Sequence, residues 1–522
     1  MSDILLGHSF FLRFEPKLWL ARQPYPPLGT LYAAAYLRSR GYPVAVFDAM
    51  LAESEAEWLA ALKYHQPRFA VLYEDNFNYL SKMCLLRVRQ AAFEMIRLAK
   101  DAGCTVIVAG SDASDHAHLY LQQGCDYVLI GEGEFTLVDL LDRLHEKTDT
   151  PLQDIPGLAF QRDKLSATAS AGLEILHTHR RPDIKDLDAL PFPAWDLVEI
   201  SRYQEIWRRH HGFFSINLVS TRGCPFHCNW CAKPIWGQRY NLRSPENVVA
   251  EMEYLRARFQ PDHIWFADDI FGLKPGWLPR FAELVQERGV TIPYKCLNRA
   301  DLLLRPGEID SLSRSGAQIV WIGAESGSQK VLDAMEKGTR VEQIHAATYQ
   351  LHQAGIQVGF FLQFGYPGET WRDIRKTIRM VRECQPDDIG ISVSYPLPGT
   401  PFYERVRQGL SARRNWFTSD DLAMLYQGPY TTTFYRHLHT VLHKLHRARK
   451  IGNNLKPLVF RPAGWNRLHL RQAARLLAIV LSLPIDILRL RFLRQRKNRL
   501  HLPLISPALT QEQAGRPTPQ LK

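Results

Sequence analysis

Over the first 145 residues, short runs of apolar side chains alternate with stretches of helical period. Asp3–Leu6, Val44–Phe47, Phe69–Tyr73, Val106–Ala109 and Tyr127–Ile130 read as five buried strands, with helices such as Gly29–Arg40 and Lys82–Ala102 between them. This alternation predicts an α/β fold: a parallel sheet with helices on both faces, a doubly wound Rossmann-like domain over residues 1–148. Such sheets bind ligands in the loops at the carboxyl ends of their strands. A poorly periodic connector follows over 149–209, and its Pro-rich run from Leu187 to Val198 reads as a semi-rigid linker. From Phe214 to about Arg405 the alternation resumes, with strands at Ser215–Ser220, His263–Ala267, Tyr294–Cys296, Ile319–Ala324, Gln357–Gln363 and Asp388–Tyr395. Helices such as Pro245–Phe259 and Thr370–Cys384 separate them. Six such units predict a partial (β/α)6 barrel over 210–410, although the pattern alone also fits a second doubly wound sheet. Residues 411–522 read as a basic helical C-terminal region with a disordered end, Glu512 to Lys522.

The composition, 46% hydrophobic and 23% charged, belongs to a folded soluble protein and excludes a disordered chain. The opening segment lacks a basic stretch followed by a clean apolar run and a small-residue cleavage site, so a cytoplasmic protein is expected. In that compartment the eight cysteines favour metal or redox chemistry over a disulfide scaffold. The net charge of +12 is localised: fifteen Lys or Arg and one acid, Asp486, lie between Lys444 and Arg499, and the remainder is near neutral.

The segment TRGCPFHCNWCAKP carries Cys224, Cys228 and Cys231 in a C-x3-C-x2-C array just after a predicted strand. Three thiolates on one flexible loop suit three corners of a [4Fe–4S] cluster and leave one iron open; Gly223 and Pro225 suit such a loop. A zinc knuckle is the competing reading, since His227 lies inside the motif. The array, with Trp230 preceding the third cysteine, resembles the signature of the radical S-adenosylmethionine (SAM) superfamily. That resemblance implies that SAM chelates the open iron and that one electron cleaves it to methionine and a 5′-deoxyadenosyl radical. It also implies SAM contacts from Asp268 and Asp269 in WFADDIFG and from Glu325, Ser326 and Ser328 in IGAESGS, with Trp230 beside them. Acids and hydroxyls at strand ends suit an ammonium and a diol, but Asp269 and Ser326 equally suit helix caps. FGYPGET (Phe364 to Thr370) and YPLPGTPFYE (Tyr395 to Glu404) read as tight turns beside the cleft.

The N-terminal segments PPLGTLYAAAYLRSRGYPVAVFDA, VIVAGSDAS and DYVLIGEGEFTLVDLL resemble the cobalamin-binding domain that precedes many radical SAM domains. The resemblance implies cobalamin contacts from Gly110, Gly131, Glu132 and Gly133, and from Tyr73, Asn76 and Asn78 in the loop after the third strand. No Asp-x-His-x-x-Gly follows the first strand, where His8 stands alone, and Asp115–His118 also fails that spacing. The expectation is a cobalamin without a histidine ligand on its lower face; a domain that has lost the cofactor is the alternative.

The implied activity is cobalamin-dependent radical chemistry, first C-methylation of an unactivated carbon of a hydrophobic substrate, second an oxidative cyclisation or rearrangement. An external electron donor such as flavodoxin or ferredoxin is expected. A rival of another class is a non-catalytic cobalamin or iron–sulfur sensor that binds nucleic acid. Of the remaining groups, Tyr294, Cys296 and Arg299 are candidate proton or hydrogen carriers, Cys296 being equally suited to a small buried position. Cys84, Cys104, Cys125 and Cys384 read as structural. In the tail, Leu476 to Leu490 is shorter than the ~20 residues of a membrane span and contains Pro484 and Asp486. Flanked by Arg471, Arg475, Arg489, Arg491 and Arg494, it fits a helix on an anionic membrane face or one docked on the barrel; nucleic acid ranks last. The first would suit a lipid-like or tetrapyrrole substrate.

Overall fold

The computed structural model describes residues 2–83, 85–162, 174–232, 235–413, 415–419, 421–459 and 466–495. Cys84 and the end from Glu512 to Lys522 lie outside the described residues.

The first sheet contains β1 (Ile4–Gly7), β2 (Val44–Phe47), β3 (Phe69–Tyr73), β4 (Thr105–Ala109) and β5 (Tyr127–Leu129), all parallel, in the order β2-β1-β3-β4-β5. The order reverses between β1 and β3, so helices cover both faces and a ligand crevice opens at that point. Alternate side chains feed different cores, as the two-residue period requires. Ile4, Leu6, Phe69 and Val71 enter one, and Leu5, Ala70 and Leu72 the other. The connector differs from its reading as linker throughout. Within it, β6 (Leu158–Gln161) and β7 (Ile175–His177) extend the sheet in antiparallel fashion. Strands of four and three residues proved sufficient because β5 offered an unpaired edge. The Pro-rich run is also packed: Trp195 is buried and the Ala194 N–H donates to Leu31 O at 3.1 Å.

The second sheet runs β8-β11-β12-β13-β14-β15, all parallel. Its strands are β8 (Ser215–Leu218), β11 (His263–Phe266), β12 (Tyr294–Asn298), β13 (Ala317–Glu325), β14 (Gln357–Phe364) and β15 (Asp388–Val393). A separate ribbon of β9 (Thr221–Arg222) and β10 (Asn241–Leu242) follows β8. Here the order never reverses. Right-handed crossovers therefore place every helix on one side, and the sheet curls into a partial barrel instead of a second doubly wound domain.

The carboxyl ends of the two sheets face each other. Phe10, Leu12, Phe77 and Met83, from loops of the first sheet, enter the same core as Ile216, Phe266 and Val320 of the barrel. Lys82 Nζ, beyond β3, meets Asp269 Oδ1, beyond β11, at 2.8 Å across this junction, and the Tyr25 hydroxyl meets Ser215 Oγ at the amino end of β8 at 3.1 Å. In the C-terminal region a helix at Thr432–Val459 packs beside β15, burying Phe434, Leu438 and Leu442. A second helix, Arg467–Gln495, folds back along the first.

Candidate active site

The three cysteines lie on the loop that leaves β9 and returns through β10, so the ribbon closes its base. Gly223 opens the loop at φ +82°, and a Cβ there would stand 2.4 Å from Arg239 O; no other residue fits. Asn229, buried inside the loop, pins it to the rest of the barrel. Its Nδ2 donates to Ala334 O at 2.8 Å, its Oδ1 accepts from the Tyr366 hydroxyl at 2.9 Å, and its carbonyl accepts from Phe402 N at 2.9 Å. Trp230 packs on Val331, Ala334, Met335, Tyr366 and Phe402. Cys224 is buried beside Ile270 and Leu302, whereas Cys228 and Cys231 are half-buried.

Two cations overlook this loop. Arg299, gripped by Asp301 at 3.0 Å and stacked 3.7 Å over Phe226, holds Nη1 at 4.0 Å from Cys228 Sγ. Lys337 donates to Glu325 Oε1 at 2.9 Å, both groups buried. Burial alone would depress the Lys337 amine, but Glu325 and the Cys228 thiol outweigh it and hold the amine above its usual range. The Lys337 amine therefore remains charged and, with the Arg299 guanidinium, suits the thiolate set of an anionic iron–sulfur cluster. Glu325 itself sits at φ +54°, where β13 breaks register with β14.

The other acids and hydroxyls expected at SAM bond within the protein. Asp268, buried, accepts from Ser220 N, Ser220 Oγ and Thr221 N at 2.8, 2.5 and 2.9 Å, which ties β11 to the start of the cysteine loop. Burial raises its carboxyl to about 6 against those hydrogen bonds. Asp269 pairs with Lys82 of the first domain at 2.8 Å. Ser326 Oγ meets Thr377 Oγ1 at 3.2 Å, and the Ser328 hydroxyl donates to Asp373 at 2.7 Å, fastening this turn to the Trp371–Cys384 helix. Sequence patterns did not single out Gln363 and Ser394, whose Oε1 and Oγ are buried without a partner near the carboxyl ends of β14 and β15; Trp230 Nε1, of the expected SAM contacts, is equally unpaired. Buried, unsatisfied polar atoms around a strand-end crevice fit a polar ligand such as SAM. The one available signal was a polar residue closing an otherwise apolar strand. Tyr294 and Cys296 are wholly buried, and burial raises both.

On the facing sheet the glycines expected at cobalamin divide. A Cβ on Gly133 would strike the Tyr73 ring at 2.8 Å, and one on Gly110 the Glu74 side chain at 2.8 Å, so both accommodate neighbouring protein. Gly131, at φ +85°, faces open space. Glu132 joins Arg222 at 2.9 Å and Trp236 Nε1 at 2.8 Å, while Glu134 holds the other arm of Arg222 at 2.8 Å. This buried network locks the GEGE turn to the residue preceding the cysteine loop. Asn78 Oδ1 accepts from Leu80 N at 3.0 Å, turning the loop that presents Tyr79. Asn76 Oδ1, Ser9 Oγ and Ser81 Oγ are buried without a partner near the ends of β1 and β3, which fits a polar cofactor at the switch point. His8 Nε2 is directed to Asp48 at 3.3 Å. Tyr79, on the same loop as Asn78, is 57% exposed.

Glu369, in the FGYPGET turn, accepts from Gly365 N at 2.7 Å with its second oxygen unpaired. Burial raises its carboxyl from an ordinary 4.5 to about 8, with Asp373 adding to the shift. The native protein thus keeps a proton that the unfolded chain loses, and stability falls as pH rises between those values. Glu369→Gln should flatten that slope and leave the variant more stable than the wild type near pH 8, by on the order of 1–3 kcal/mol. Denaturant titrations at about pH 5, 6.5 and 8 would read it, and parallel slopes for the two proteins would refute it.

Comparison with known proteins agrees with this geometry. Residues 218–381 match the Radical SAM superfamily. The chain is 26% identical to the hopanoid C-3 methylase of Methylococcus capsulatus over 78% of this chain and 72% of that one. It is 24% identical to the anaerobic magnesium-protoporphyrin IX monomethyl ester cyclase of Synechocystis, covering 74% and 73%. The fold is shared with the solved cobalamin-dependent SAM radical enzyme OxsB, with a TM-score of 0.69, 18% identity, and coverage of 94% of this chain and 72% of that one. Residues 218–381 thus carry a radical SAM domain, the mark of a class of enzymes that use a [4Fe–4S] cluster and SAM. With the solved cobalamin-dependent enzyme the chain shares the order of a doubly wound domain followed by a partial barrel.

Proposed function

We propose that the protein is a cobalamin-dependent radical SAM methyltransferase acting on an unactivated carbon of a hydrophobic substrate. One observation carries this reading: Lys82, beyond β3, pairs with Asp269, beyond β11, at 2.8 Å, and Arg222, two residues before Cys224, is held by Glu132 and Glu134, so the cysteine loop stands at the first sheet's strand ends. Two cofactors held on the two sides of that cleft would be within reach of one substrate. Cys224, Cys228 and Cys231 would hold the cluster; Glu325, Trp230, Gln363 and Ser394 would orient SAM. Asn76, Ser9, Ser81 and the open face of Gly131 would receive cobalamin. When bound, the cluster and SAM supply a carbon-centred radical, and cobalamin supplies a transferable methyl group. The chain's own part is to hold Lys337 and Arg299 beside the thiolates and to close the cleft with apolar side chains. The electron would come from a flavodoxin- or ferredoxin-type donor, and a basic tail against a membrane would bring a lipid-like or tetrapyrrole substrate near. The similarity to a cyclase favours a second reading, a cobalamin-assisted oxidative cyclisation.

Anaerobic reconstitution with iron, sulfide and cobalamin, then reduction with methyl-labelled SAM and a hydrophobic extract, separates these. Label in an extractable product, together with 5′-deoxyadenosine, is expected. Radical turnover without label in product overturns methylation in favour of cyclisation. A full cluster that cleaves no SAM overturns both and restores the sensor reading.

A further inference from the structure

The helix Arg467–Gln495 has two apolar faces, and only one of them is used. Leu490 and Leu493 are buried and Leu483 and Ile487 partly buried against the protein. Asp486, the single acid of this helix, also points inward, to Lys444 Nζ at 2.5 Å, and its carbonyl accepts from His437 at 2.8 Å. Arg494 lies 5.5 Å over the Trp371 ring. These contacts fix the helix's rotation. On the opposite side Leu470, Leu477, Leu481, Ile485 and Leu488 are exposed, each by more than half. Their spacing of seven, four, four and three keeps them in one stripe, about 27 Å long at 1.5 Å per residue. Exposed Arg471 and Arg489 border the stripe on one side and Arg491 on the other, with no acid among them. The helix beneath it, Thr432–Val459, contains six Lys or Arg and no acid.

An apolar stripe of this length on a water-exposed helix calls for a cover. The cationic borders select an anionic one, and apolar side chains that size enter an acyl boundary, which a nucleic-acid phosphate backbone does not offer. No described helix is long and apolar enough to cross a membrane, and here Pro484 and six arginines share the segment. We propose that the outward face of Arg467–Gln495 lies in the plane of an anionic lipid surface, with the stripe inserted and Arg471, Arg489 and Arg491 on headgroups. The inner face meanwhile stays docked on the enzyme. Docking and membrane contact are thus two faces of one helix. This deepens the membrane-apposed part of the function proposed above and is independent of which bond the enzyme makes.

The test uses the full-length chain and sedimentation with vesicles of phosphatidylcholine alone or with about 30% phosphatidylglycerol. Wild type is expected to sediment with the anionic vesicles and to be released at least tenfold by 0.5 M salt, since headgroup contacts are screened. Leu481→Glu/Ile485→Glu changes only exposed positions, so it should keep the thermal stability and SAM cleavage of the reconstituted enzyme while losing vesicle binding at least tenfold. Wild type remaining in the supernatant, or the double variant binding equally well, overturns the proposal. So does a stripe that closes a dimer: wild type dimeric by light scattering, monomeric as the variant, and unbound to vesicles. Failure of the function proposed above would instead show as absent SAM cleavage with vesicle binding intact.

Discussion

Cys228→Ala is expected to reduce 5′-deoxyadenosine formation to background, at least about a thousandfold, which corresponds to about 4 kcal/mol of barrier. The expectation follows from stoichiometry and from place. Three thiolates are the loop's whole complement, and Cys228 is the one facing Arg299 at 4.0 Å and the Lys337 amine. Without it, two cations confront an incomplete ligand set, and iron retained per chain should fall as well. The fold should survive, because the loop's anchoring belongs to Asn229 and to the β9–β10 ribbon, not to a half-buried thiol. Iron analysis, circular dichroism and product quantitation on the same reconstituted sample would check all three. A variant that folds, binds iron fully and cleaves SAM at the wild-type rate would remove the basis for the assigned centre.

The second large effect concerns stability. Arg222 is buried between Glu132 and Glu134, and burial raises the Glu132 carboxyl even with the guanidinium present. Arg222→Met strands two acids in the junction, which should cost about 3–5 kcal/mol, the range for breaking a buried pair from one side. The loss should be visible as a lower midpoint in urea and as poorer cluster loading, because Arg222 is adjacent to Gly223 and Cys224. Arg222→Met combined with Glu132→Gln and Glu134→Gln removes the stranded charges and should recover a substantial part of the loss. A single variant within about 0.5 kcal/mol of wild type would show that the network does not hold the domains together.

The cysteine array was legible because its information is local: three ligands within eight positions require no knowledge of the rest of the chain. Strand-end acids were legible as strand-end acids, but not their partners. Asp268 reaches back 48 residues to Ser220, and Ser328 forward 45 to Asp373; both spend their oxygens bracing turns. Lys337 carried no motif of its own, and only the return of the chain beside β13 puts its amine on Glu325. The Gly133 cradle shows the same limit. Its lack of a side chain suggested room for a cofactor, whereas the space is taken by Tyr73 from 60 residues earlier.

By itself the sequence determined the elements and the chemistry they carry. Two- and 3.6-residue periods follow from backbone geometry, so β2, β3 and the Pro245–Phe259 helix were read with their observed bounds, and the cysteine spacing pointed to the loop proposed for the cluster. Only the tertiary structure decided the order of the strands, which separates a curled barrel from a doubly wound sheet. It alone added β6 and β7 to the first sheet and brought the two sets of strand ends face to face. It also decided which side of the last helix is covered. The reason is common to all of these: they depend on pairings between segments tens to hundreds of residues apart, whose energies arise from burial and complementary charge after the chain has closed on itself, and no local pattern records them.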